Sequence, residues 1–248
     1  MQNRHRSQLL PLAGYPVLSL SYNELCAMLQ SRLCTSRKTV LVFANSNFVL
    51  QCRPLRPWLN GEEVIIVNDG IGMDIASLMR HGRRYRHNLN GTDFIPYLLK
   101  TMLQPQRIFL LGGKPGVADR AAQVIARHSQ HTIVGTCDGY STPPPPQLCA
   151  RINASKADIV LVAMGNPIQE EWIRLHMGQL HARLFVSVGA LFDFLSGSVR
   201  RAPLWMQKLR LEWLFRLWQE PRRMVKRYTV DISRFLWLCL SYPLQRRG

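Results

Sequence analysis

The chain has 248 residues, 47% of them hydrophobic, and carries 32 Lys and Arg against 15 Asp and Glu, a net charge of +17. Such apolar content excludes a disordered chain, and no run approaches the roughly 18 to 20 consecutive apolar residues of a membrane-crossing helix. The basic excess calls for an anionic partner: nucleic acid, a membrane surface or a phosphorylated substrate.

From the N-terminus, "LLPLAG" is too short and too broken by proline to serve as a signal peptide, so a cytoplasmic or cytoplasm-facing protein is expected. Six short apolar runs then recur: "TVLVFA" (39–44), "EVIIVN" (63–68), "RIFLLGG" (107–113), "TIVGTC" (132–137), "ADIVLVAMG" (157–165) and "LFVSVG" (184–189). Continuous rather than alternating apolar character predicts strands covered on both faces, as in a parallel sheet between helices. Helix-length segments separate them, among them "GVADRAAQVIARHSQ" and "PIQEEWIRLHMGQL", the latter opened by Pro167 with acids in its first turn. The pattern predicts a doubly wound α/β domain. The proline run at 143–146 reads as a loop between sheet units.

After "FDFLSGSVRRAP" the strand pattern stops, which divides the chain into an α/β catalytic domain (1–198) and a helical appendage (199–248). From Arg200 to Gly248 there are 12 basic and 3 acidic residues, a net of +9, together with four of the six tryptophans. Beyond Pro221, Met224, Tyr228, Ile232, Phe235 and Cys239 recur at helical spacing, with Arg222, Arg223, Lys226, Arg227 and Arg234 on the opposite side. Two readings stand: a basic amphipathic helix that lays Phe235, Leu236 and Trp237 on a bilayer, or a surface helix docked on the core with a solvated basic face.

In open α/β sheets ligands bind beyond the carboxyl ends of the strands. The exits here are "NSN", "NDGIG", "GGKPG", "DGY", "GNPIQEE" and "GALFDF", which supply Asn45, Asn47, Asp69, Gly70, Gly112, Gly113, Asp138, Gly165 and Asn166 as candidate site residues. Each exit alone is turn chemistry; six at one end of a sheet make a crevice. "LLGGKPG" lacks the Walker spacing, and "GIGMDI" is not a dinucleotide fingerprint. With no Cys-x-x-Cys, no Asp-x-Asp pair and no His/Cys cluster, neither a metal nor another cofactor is expected. Arginines would then have to neutralise a diphosphate.

"VNDGIG", "NLNGTDF", "LLGGKPG", "ADIVLVAMGNPIQEEWI", "VGALFDFLSG" and "RAPLWMQKLRLEWLFRLWQEPRRMVKRY" together resemble the WecG/TagA/CpsF glycosyltransferases, from about residue 40 to 228 and in the same order. The forms "NSNF" and "NLNGTDF" look most like the glucosyltransferases of xanthan-type (Gum) exopolysaccharide assembly. The resemblance implies inverting transfer of a hexose, glucose or an N-acetylhexosamine-type sugar. The donor would be a UDP-sugar and the acceptor a polyprenyl-diphosphate-linked sugar, without a bound metal, at the cytoplasmic face of the inner membrane. It implies Asp69 as the base, Gln169 as a site residue, and Arg216, Arg223 and Arg227 as arginines that reach the diphosphate. Members with Thr-x-Asn after the first strand differ from Asn45-Ser46-Asn47, and members with Arg-Val-Thr-Gly differ from Asn88-Leu89-Asn90-Gly91. Asn88 and Asn90 thus fall where donor or acceptor contacts are expected, and sugar identity is not carried over.

A carboxylate on a glycine turn at a strand exit suits proton abstraction from the acceptor hydroxyl. Asp193, set between two phenylalanines, reads as a buried structural acid; Asp138 and Glu170 are further rivals. The alternatives are an NAD-dependent oxidoreductase and a basic nucleic-acid-binding protein. A long apolar face on the basic helix suits an anionic membrane surface better than a duplex, so no nucleic acid is expected.

Overall fold

A computed structural model describes residues 8–203, 205–206, 212–219 and 221–243. Seven strands form one sheet: β1 (Val17–Leu18), β2 (Thr39–Ala44), β3 (Val64–Asn68), β4 (Arg107–Gly112), β5 (Thr132–Cys137), β6 (Ile159–Ala163) and β7 (Leu184–Ser187). Their order is β1-β3-β2-β7-β6-β4-β5 and every pairing is parallel. The six apolar runs are strands, trimmed at their ends by a residue or two. β1 was not legible: two residues on Ile66 and Val67 at the sheet edge carry no periodicity.

The helices are α1 (Tyr22–Leu33), α2 (Ser46–Gln51), α3 (Arg56–Leu59), α4 (Ile71–His81), α5 (Gly91–Thr101), α6 (Val117–His128), α7 (Pro145–Ala154), α8 (Ile168–His176), α9 (Leu191–Leu195), α10 (Glu212–Gln219), α11 (Pro221–Lys226) and α12 (Ile232–Ser241). Ser21 and Glu24 close a reciprocal cap at the start of α1, satisfying amides that the first turn leaves unpaired. The proline run is only partly loop, because Pro145 and Pro146 open α7, where a missing N–H costs nothing.

Alternate residues of each central strand enter opposite cores, which explains the continuous apolar runs. Val40, Val42, Val160 and Val162 meet α2, α4, α7, α8 and α12, whereas Leu41, Phe43, Ile159 and Leu161 meet α1, α5, α6 and α9. Strand β5 departs from the pattern: it is an edge strand, and all its residues but Cys137 keep some exposure.

The C-terminal helix is part of this core. Phe235 is fully buried and Cys239 nearly so, packed where α12 meets α4 and α2. Arg80 donates to the carbonyls of Leu240 and Tyr242, and the Tyr242 ring lies 5.0 Å from the Arg56 guanidinium. Phe235 therefore does not face a bilayer, which corrects that part of the amphipathic reading. On α12 the exposed aromatic is Trp237, at 70%. Among the described residues no helix is long and apolar enough to cross a membrane.

Candidate active site

The carboxyl ends of β2 to β7 converge on a cleft of about 870 Å³, a volume suited to a small-molecule ligand. It takes in the exits of β4 and β6, whose onward connections run in opposite directions, β4 outward to β5 and β6 inward to β7, the switch point at which a doubly wound sheet binds ligands. Asn45 and Asn47 line it from β2, Asp69 from β3, Gly113 and Lys114 from β4, and Gly165, Asn166 and Gln169 from β6.

The turn carrying Asp69 is held from three directions. Its backbone N–H donates to the Ala44 carbonyl at 2.7 Å, fixing it against the end of β2. Gly70 sits at φ +91°, a conformation that a side chain would strain, and its N–H donates to Asn88 Oδ1 at 2.7 Å. Buried Asn68 ties the same loop down by donating to the His87 carbonyl at 2.9 Å. The side chain of Asp69 is then oriented by Asn45, whose Nδ2 donates to Oδ2 at 3.2 Å. Asn45 does this while its Oδ1 caps α2 on the Phe48 N–H. The amide makes both bonds with separate acceptor and donor ends.

Beneath the cleft lies a second network. Gln169 is only 3% exposed, and its Oε1 accepts from the N–H groups of Gly165 and Gly189, joining the exits of β6 and β7. Its Nε2 donates to Glu170 Oε1 at 2.8 Å, as does Asn166 Nδ2, and the Cys52 thiol reaches Glu170 Oε2 at 3.6 Å. Glu170 is fully buried, and that desolvation raises its carboxyl above the ordinary carboxylate range. Burial first, and then Glu170, push the Cys52 thiol upward as well, so it remains a neutral thiol.

The remaining sequence candidates take other places. Asn88, Asn90, Gly70, Gly112 and Asp138 do not line the cleft. Asn90 caps α5 on Asp93, and Asp93 in turn pairs with Arg201, which also meets Glu212. At Gly112 an added Cβ would lie 2.3 Å from the Ala163 carbonyl oxygen, so its role is close approach of β4 to β6. The Asp138 carboxylate accepts from the Ser141 and Tyr140 N–H groups, which lower its pKa and shape the loop that sets Tyr140 at the cleft.

Asp193 is not buried: Phe192 turns into the core while Asp193, one residue on, lines the cleft. The side chains of Arg216, Arg223 and Arg227 lie outside the described residues. Two residues that the sequence did not place here, Asp231 and Arg234, do line the cleft from the C-terminal helix. Asp231 closes the π-turn over Arg227–Asp231 that leads into α12, and Arg234 lies in the first turn of that helix. Lys114 was visible in "GGKPG" but only as part of a turn. Among the described residues, no group of three or more His, Cys, Asp or Glu is arranged to hold a metal ion.

Acids Asp69, Asp193 and Asp231 and cations Lys114 and Arg234 thus share one cleft with a floor of glycine backbone. Such a site can bind a phosphorylated, polyhydroxylated ligand and take up a proton from it. Residues 10–248 match the model of the glycosyl transferase WecG/TagA/CpsF family, and the chain belongs to that family. Its members are glycosyltransferases of cell-surface polymer synthesis, which displaces the oxidoreductase and nucleic-acid alternatives.

Proposed function

We propose that this glycosyltransferase moves a hexose, with inversion, from a UDP-sugar to a polyprenyl-diphosphate-linked sugar at the cytoplasmic face of the membrane. Asp69 is the general base in this reading. The acceptor hydroxyl oxygen attacks the anomeric carbon, Asp69 takes the hydroxyl proton, and the bond to UDP breaks with its electrons going to the phosphate oxygen. One observation carries the assignment: Asp69 lines the cleft on a turn fixed by Ala44, Asn88 and Gly70, with Asn45 setting its carboxylate. A residue serving only as a turn-former has no need of that last bond.

Lys114 and Arg234 are the described cations that would balance the diphosphate charge, with Arg216, Arg223 and Arg227 as further candidates. In this account residues 1–198 supply the sheet and its exits, and residues 199–248 complete the cleft. Xanthan-type glucosyl transfer is the narrower form of the proposal. The test is a panel of UDP-sugars with a short polyprenyl-diphosphate-sugar acceptor, reading product and anomeric configuration by NMR. A β-linked product from an α-linked donor supports inversion. A retained configuration, or transfer only from non-nucleotide donors, would contradict it.

A further inference from the structure

Helix α4 begins two residues after Asp69 and carries an outward stripe at positions i, i+4, i+7 and i+8: Ile71, Ile75, Leu78 and Met79. These side chains are between 40% and 53% exposed, although the opposite face of the same helix buries Met73, Asp74, Ala76 and Ser77. Single exposed apolar residues on a surface need no explanation; four along one helix face do. The helix packed beside it, α12, adds Trp237 at 70% exposure. Just past its far end, Arg83 and Arg84 are exposed.

We infer that the stripe of α4 is the surface by which this protein lies on an anionic bilayer, in the plane of the headgroup–acyl boundary. This deepens the reading above and rests on its lipid-linked acceptor. An apolar stripe, an adjoining exposed tryptophan and terminal arginines are the composition of an interfacial helix. At 11 residues, α4 is about 16 Å long, enough to lie in the interface and too short to cross it. A second copy of the chain is a poor occupant, because a protein of net charge +17 would have to bring two such faces together. The placement also has a chemical consequence. With α4 flat on the surface, its first turn sets the mouth beside Asp69 at the depth where a lipid-borne diphosphate sits. The lipid chain can then stay in the bilayer while its sugar enters the cleft.

The test uses the full chain in flotation with vesicles of mixed phosphatidylglycerol and phosphatidylcholine, and with phosphatidylcholine alone. Ile75→Gln/Leu78→Gln/Met79→Gln keeps good helix formers at solvent-facing positions. It should weaken vesicle partitioning by about tenfold or more while the thermal midpoint stays put. Arg83→Gln/Arg84→Gln should cost roughly fivefold per charge on anionic vesicles at low salt, and nothing on neutral ones. Should the triple substitution lower the thermal midpoint, Met79→Gln alone, at the most exposed position, carries the test with an expected severalfold loss. Wild-type partitioning by the folded triple variant overturns the inference. So does a lipid-free dimer in sedimentation velocity that the triple substitution dissociates, since the stripe then serves a second copy. Neither readout involves sugar transfer: vesicle binding through α4 without turnover would instead count against the proposed reaction.

Discussion

Replacing Phe235 by alanine removes a ring that is 0% exposed, wedged where α12 crosses α4 and α2. Emptying such a site costs the transfer free energy of the ring plus the cavity it leaves, about 3–5 kcal/mol. In a chain of this length each kcal/mol lowers the melting temperature by roughly 2–4 °C, so a fall of about 6–20 °C is expected. Trp237→Ala, two residues along the same helix but 70% exposed, should stay within about 0.5 kcal/mol of the parent. Thermal denaturation followed by circular dichroism, without lipid, compares the two directly. Because Asp231 and Arg234 reach the cleft from this helix, Phe235→Ala should also reduce turnover below its melting temperature. Small and equal shifts for both variants would refute the docking, and with it the idea that the tail completes the cleft in solution.

Asn45→Ser retains a capping oxygen for α2 but removes the amide that donates to Asp69. Stability should change by less than about 1 kcal/mol while kcat falls about tenfold at unchanged donor KM; a proportional loss of both would point to cap failure alone. Glu170 holds its proton above the ordinary carboxylate range when folded, so its contribution to stability is full at acid pH and is lost as pH rises through the folded value. Glu170→Gln cannot ionise, and its melting temperature should gain on the parent from about pH 4.5 towards neutrality; parallel curves would contradict the shift. Arg234→Gln should lower turnover at least tenfold on a short-chain acceptor in detergent, a result that a purely lipid-facing arginine would not give.

Much of the fold was legible because a sheet covered on both faces writes unbroken apolar runs, and Val40 to Phe43 alternate between two cores without a polar residue. The site's outline was legible for a related reason: glycine with Asn or Asp marks each exit, and parallel strands bring all exits to one edge. Roles were harder to read. Spacing cannot say whether an asparagine turns to a ligand or to its own backbone, so Asn88, which holds Gly70, and Asn90, which caps α5, looked like contacts. The helical wheel put Phe235 and Cys239 on one face and Arg234 on the other, as the structure has them. What it could not give was the occupant of each face, because an apolar face on a basic helix fits a protein core as well as a bilayer. The exposed stripe of α4 was hidden because "GIGMDI" was weighed only as a nucleotide fingerprint.

Asp69→Asn is the most direct test of the central claim. The amide keeps the turn geometry but cannot take up the acceptor proton, so single-turnover sugar transfer should slow by about a hundredfold or more. UDP-sugar affinity, measured by calorimetry on the same folded variant, should stay at the parent value. Near-parental transfer by Asp69→Asn would contradict the account and leave Asp69 a turn residue.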